Sequence, residues 1–149
     1  MAFWRSLAVQ QVSLSHFLSE RRENKKIVRE KAEELMATLY EHRDWIAREN
    51  SRLVFGSDLP ELPSPLDKAY AIQQLYFPEL ASSLGEITAS LKPMTTYFYK
   101  HAKARIADKA AWIKVLDTKE FPPLYDAYLK AFHTAINDLV RIARVQIET

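Results

Sequence analysis

AEELMATLYEHRDWI, residues 32–46, is the stretch that decides the fold class. Within it Leu35, Leu39, His42 and Ile46 recur at steps of four, three and four residues, which places them on one face of an α-helix rather than on the alternating faces of a strand. Outward from this stretch there is neither Pro nor Gly from about Phe3 to Val54, so one uninterrupted helix is expected over about fifty residues. Gly56 then stands where a helix ends in a left-handed residue, and Pro60, Pro63 and Pro65 make the following loop stiff and non-helical.

Beyond that loop, Ser64 offers a hydroxyl cap. Pro65 suits a first helical position, because its missing N–H is unused there, and Asp67 lies near the positive end of the helix dipole. A second, shorter helix is therefore expected, broken or sharply kinked at Pro78, whose ring disrupts the preceding turn. Leu80, Leu84, Ile87, Leu91, Met94 and Phe98 alternate steps of four and three without losing phase across Pro93. A hairpin at Lys92-Pro93 has no reason to preserve that phase, so residues 79 to about 106 read as one helix bent near Pro93, in preference to two antiparallel ones. Asp108 can cap a short segment through Trp112 and Leu116. Pro122-Pro123 opens a last helix to about Gln146, with Leu124, Tyr128, Phe132, Ala135, Leu139, Ile142 and Ala143 as a stripe broad enough for two neighbours. Long helices with short connections predict an all-α antiparallel bundle, three long helices and two short, in a single domain over residues 1–149.

Composition agrees with a folded, non-fibrous chain: 48% hydrophobic and 27% charged residues lie well away from the apolar-poor pattern of disorder. The absence of cysteine removes disulfides, thiolate metal sites and cysteine nucleophiles, and fits a reducing, cytoplasmic setting. Residues 1–20 are interrupted by Arg5, Gln10, Gln11 and His16 and carry no A-x-A cleavage pattern, so they read neither as a membrane span nor as a signal peptide. A net charge of +2 is too small to imply a polyanionic partner by itself.

One feature of the pattern bears on function. At about 1.5 Å per residue the first helix spans roughly 75 Å, against about 40 Å for either later long helix, so part of it must overhang. The apolar stripe of Leu35, Leu39 and Ile46 runs back through Ala32 and Val28 and then meets Lys25 and Arg21. Unpaired cations avoid a core because their desolvation costs several kcal/mol, so the core is expected to end near Val28 and residues 1–27 to project. Arg21, Arg22, Lys25, Lys26 and Arg29 form a basic arc suited to an anionic surface. Ahead of it Phe3, Leu7, Leu14 and Leu18, with Phe17 beside them, restore an apolar stripe in nearly the same phase. Three arrangements would account for that stripe: a fold-back near Asn24, a helix of a protein partner or second copy, or a membrane, with the segment lying on its surface or following a membrane anchor and the cations on lipid headgroups at its inner face. The second is the reading adopted, with the membrane surface next and nucleic acid less favoured.

Catalytic and cofactor chemistry finds little support. The residues three before each histidine are Ser13, Leu39, Phe98 and Lys130, so no Glu-x-x-His di-iron pattern exists. His42 and His101 fall on or near apolar seams, where a hydrogen-bonded core histidine is the commoner use than a metal or haem ligand. Two isolated glycines, Gly56 and Gly85, preclude a phosphate loop, and no G-x-S-x-G elbow occurs. Lys100, Lys103, Arg105 and Lys109, with Tyr97 and Tyr99 nearby, and Arg141 with Arg144 are the other basic groups that a nucleic-acid interface would draw on. Gly85 allows two explanations, a close helix crossing or chance. The sequence thus points to a non-enzyme without cofactor or metal.

Overall fold

The computed structural model describes the backbone from Ala2 to Thr149 and side chains from Gln11 onward. Five α-helices are present among these residues: α1 Ala2–Glu49, α2 Leu66–Tyr76, α3 Ala81–Ala107, α4 Lys109–Val115 and α5 Phe121–Glu148. A π-helical turn, Asn50–Val54, finishes α1, and a 3-10 turn, Pro78–Leu80, joins α2 to α3. The three long and two short helices match the sequence pattern. Helix α3 continues through Pro93, which is exposed, so the carbonyl left without its N–H partner by the proline faces water rather than the core.

Side-chain pairs establish the direction of each helix. Trp45 Nε1 donates to the Leu62 carbonyl at 2.9 Å and Lys68 Nζ lies 3.4 Å from Glu34, so α2 runs back along α1. The Tyr70 hydroxyl donates to the Leu84 carbonyl at 3.0 Å, which turns α3 back along α2. Helix α5 opposes α3, with Ser83 donating to Asp138 at 2.6 Å near one end and Lys100 to Glu120 at 3.1 Å near the other. It also opposes α1, through His42 and Tyr128 at 2.8 Å. The result is an up-down-up-down four-helix bundle in which α4 links α3 to α5.

Leu35, Leu39 and Ile46 of α1, Phe77, Leu84, Ile87 and Met94 around α3, and Tyr128, Phe132 and Leu139 of α5 form its centre. Of the stripe expected on α5, only Leu124 is half-buried rather than buried.

The end of the bundle away from the start of α1 is closed by polar contacts. Gly56 has φ +70°, the left-handed conformation expected at a helix end. The Ser57 N–H reaches back to the Ser51 carbonyl at 3.1 Å. Arg105 donates from Nε to the Val54 carbonyl and from Nη2 to that of Leu53 at 3.1 and 3.3 Å, placing a cation at the negative end of the helix dipole. A Cβ on Gly56 would stand 2.6 Å from that guanidinium, which, as the end of a flexible side chain, can shift aside, so the glycine is needed chiefly for its conformation. Asp108 caps α4 by accepting from the Ala111 N–H at 3.1 Å.

Of the two explanations for Gly85, the close crossing fails. A Cβ there would meet nothing within 4 Å and the residue is exposed, so it marks no close helix crossing. Because glycine inside a helix costs about 1 kcal/mol relative to alanine, Gly85→Ala is expected to raise the melting temperature by several degrees. A calorimetric scan checks it, and a lowered temperature would show that a methyl group is crowded at this position.

Candidate interaction surface

The face of α1 that the bundle covers loses its cover gradually. Leu39 and Leu35 are fully buried, Ala32 and Val28 are half-buried at the edge of the core, and Lys25 is half-buried. Every residue from Gln11 to Asn24 is exposed. Leu14 is 60% exposed, Phe17 58% and Leu18 42%. At 100° per residue, Leu14, Leu18, Arg21, Lys25, Val28 and Leu35 stay within one arc of about 100° around the helix. The bundle's buried seam therefore carries on, without a change of phase, into a length where α2, α3 and α5 no longer stand beside it.

The place where cover ends is well defined. The end of α5 reaches α1 at a shallow open groove lined by Phe17, Arg21, Val28, Gln146 and Thr149, and the Arg21 guanidinium donates to the Thr149 backbone oxygen. Arg21 occupies the core seam yet remains exposed, because α5 ends beside it rather than over it. Arg22, Lys26 and Arg29 are exposed. Lys26 lies 4.0 Å from Glu30, while Arg22 and Arg29 have no carboxylate within 4 Å among the described residues. Phe3 and Leu7 lie outside the residues whose side chains are described.

Other candidates from the sequence are occupied by structural work. His42 and His101 do not converge. His42 pairs with Tyr128, whereas His101 accepts from Trp112 Nε1 at its Nδ1, 3.1 Å away, and faces Glu120 at 3.4 Å through Nε2. The indole donor requires the Nδ1 lone pair, so the His101 proton sits on Nε2 and donates to Glu120. The hydrogen bond from Lys100, with that from His101, holds the Glu120 carboxyl below its ordinary range. No group of three His, Asp or Glu side chains among the described residues is arranged to hold a metal. Of the second basic cluster, Lys100 is committed to Glu120 and Arg105 to the end of α1, and Tyr97 is buried in the core. That leaves Lys103 and Lys109 as isolated cations rather than a phosphate-tracking patch.

Sequence reasoning missed the exposed Phe55, Ile113 and Val115 around α4, since a seven-residue helix has too few turns to display a period. It also missed Val12, on the opposite face of α1 from the stripe.

An antiparallel α-helical bundle with one rod continuing past its partners is thus the class of protein defined here. Compared with protein-family models, curated proteins and solved structures, the chain finds no match, and its function rests on its own geometry. No described helix is long and apolar enough to cross a membrane.

Proposed function

We propose that this chain is a non-enzymatic interaction protein that receives a helix from another polypeptide along the free length of α1. The observation that carries this reading is the continuity of the seam. Leu14, Phe17 and Leu18 are exposed, yet they share the helical phase of Leu35 and Leu39, which the bundle buries completely. Water around such a stripe costs about 25 cal/mol per Å² of apolar surface, and a helix laid beside it removes that cost.

The direction of the stripe favours a helix over a lipid bilayer. It faces the side of α1 on which α5 stands, as Phe17 and Val28 share a groove with Gln146 and Thr149. A straight rod pressed by this face onto a flat surface would bring the end of the bundle against that surface first. A single helix, which needs only about 8–10 Å between axes, fits the lane that α5 leaves vacant. Exposed Arg22 stands at the end of the lane nearest the bundle, where cations set partner choice and orientation more than affinity. A non-catalytic role is supported by the fate of His42 and His101: both are buried within the bundle and hydrogen-bonded to its own side chains.

The paired substitution Phe17→Ser with Leu18→Ser tests this reading. At low protein concentration its melting temperature is expected to stay within about 1 °C of wild type, because surface substitutions away from packed features change stability by less than about 0.5 kcal/mol. Vesicles of anionic phospholipid at physiological ionic strength are expected not to retain the wild-type protein. A melting temperature lowered by several degrees would mean that the stripe packs on its own bundle. Vesicle retention abolished by the substitutions would assign the stripe to lipid.

A further inference from the structure

We infer that the helix received along α1 is the same segment of a second copy of this chain, running antiparallel, so that two copies cover each other's stripe about a twofold axis near Gln11. The inference rests on the interaction reading above and adds the identity and direction of the occupant.

Three observations converge on it. The first is charge. Between Ala2 and Ser19 the only charged residue at neutral pH is Arg5, with Ser, Gln and one His making up the polar face, so two such segments meet without repulsion. The cations begin at Arg21, where the antiparallel overlap stops. A parallel pairing would instead set Arg21, Arg22, Lys25, Lys26 and Arg29 beside their own copies, and like charges side by side are destabilising.

The second is the pattern. Apolar positions lie on both sides of the uncharged Gln10-Gln11 centre, Phe3, Trp4 and Leu7 before it and Leu14, Phe17 and Leu18 after it. In an antiparallel helix pair centred there, position 7 falls opposite 14 of the second copy, position 4 opposite 17, position 3 opposite 18, and Gln10 opposite Gln11 of the second copy. A twofold interface demands this kind of self-matching surface, in which each residue's partner is matched in return.

The third is room. The stripe faces the side on which the bundle stands, so stripe-to-stripe contact in parallel would drive the two bundles into one another. In the antiparallel arrangement Arg21 of each copy falls past Ala2 of the other, so neither bundle stands over the other copy's stripe. The second copy then occupies the lane in line with α5 and with the same direction as α5, since both run opposite to α1. Arg21, seated at the end of α5 on Thr149, marks where one neighbour hands over to the next.

The chain has no cysteine, so an introduced thiol is the sole one in each copy, and a disulfide requires Cα atoms within about 7 Å. Under mild oxidation Gln11→Cys is expected to cross-link copies at concentrations where wild type associates. Leu18→Cys is expected not to, because its two positions stand about 22 Å apart along the axis. Phe17→Ser should weaken association about 30-fold, in the range for truncating a central aromatic contact. Cross-linking of Leu18→Cys as efficient as that of Gln11→Cys would overturn the antiparallel arrangement. No cross-link in either variant, with Phe17→Ser melting like wild type, would overturn the second copy as occupant and leave the reception of a different helix standing. A Phe17→Ser protein that melts several degrees lower than wild type at a concentration where both are single chains would overturn both.

Discussion

Phe132→Ala is expected to lower the unfolding free energy by about 4 kcal/mol, a large share of the roughly 5–15 kcal/mol that holds a folded domain together. Phe132 is fully buried where α5 crosses α1. Its ring meets the edge of Tyr40 at 5.1 Å between centroids, lies 6.2 Å from Tyr128, and has the Arg43 guanidinium 5.7 Å away over its face. Removing it leaves a cavity lined by rings that are themselves anchored to two helices, so the site cannot collapse to fill it. Urea denaturation gives the value directly. A loss below about 1 kcal/mol would mean that α5 does not press on α1 as described.

The second large effect is a dependence on pH. His42 is fully buried, its Nδ1 within 2.8 Å of the Tyr128 hydroxyl, its ring stacked on Trp45 at 5.6 Å, and its Nε2 without a hydrogen-bond partner. Burial disfavours the imidazolium and lowers the pKa from 6.5 to about 4. The unfolded chain therefore binds a proton below about pH 6.5 that the folded chain refuses until about pH 4. Stability from this group is complete above the upper value, falls as the pH drops through the window, and levels off below it. At about 1.4 kcal/mol per pH unit the loss is on the order of 3 kcal/mol.

Glu34, Glu120 and Asp138 are each held below the ordinary carboxyl range, chiefly by hydrogen bonds from Lys31, Lys100 and Ser83. They favour folding above that range and lose their contribution as they protonate, so they add to the acid loss. The diagnostic quantity is therefore a difference: between pH 7 and pH 4 wild type should lose about 3 kcal/mol more than His42→Gln. Equal losses would show that His42 titrates alike in the folded and unfolded chains.

The fold was legible wherever one helix carries its own period. The unbroken run to Val54, the phase kept across Pro93, the Asp108 cap and the Pro122-Pro123 start are all local signals, and each marks an observed helix or boundary. What the sequence concealed are bridges between helices. Arg105 reaches the carbonyls of Leu53 and Val54 across about fifty residues of chain, and Trp112, His101 and Glu120 come together from α3, α4 and the start of α5. No spacing rule registers such contacts, because the residues share no helix. The π turn at Asn50–Val54 escaped for a related reason, since it is part of the helix end onto which Arg105 folds.

The same division applies to the candidate surface. That Leu14, Phe17 and Leu18 continue the stripe of Leu35 and Leu39 follows from counting along one helix. That α5 stops beside Arg21, and that the stripe faces the bundle's own side, depends on where other helices end in space. Those two facts turn an amphipathic overhang into a lane with a width and a direction.

Sedimentation equilibrium of the full chain across a wide concentration range addresses the central claim most directly. The account predicts a mass of 17.3 kDa at the dilute end, rising toward twice that value at the concentrated end for wild type, with the Phe17→Ser curve displaced to higher concentration. A mass that stays at the single-chain value at every concentration would contradict it.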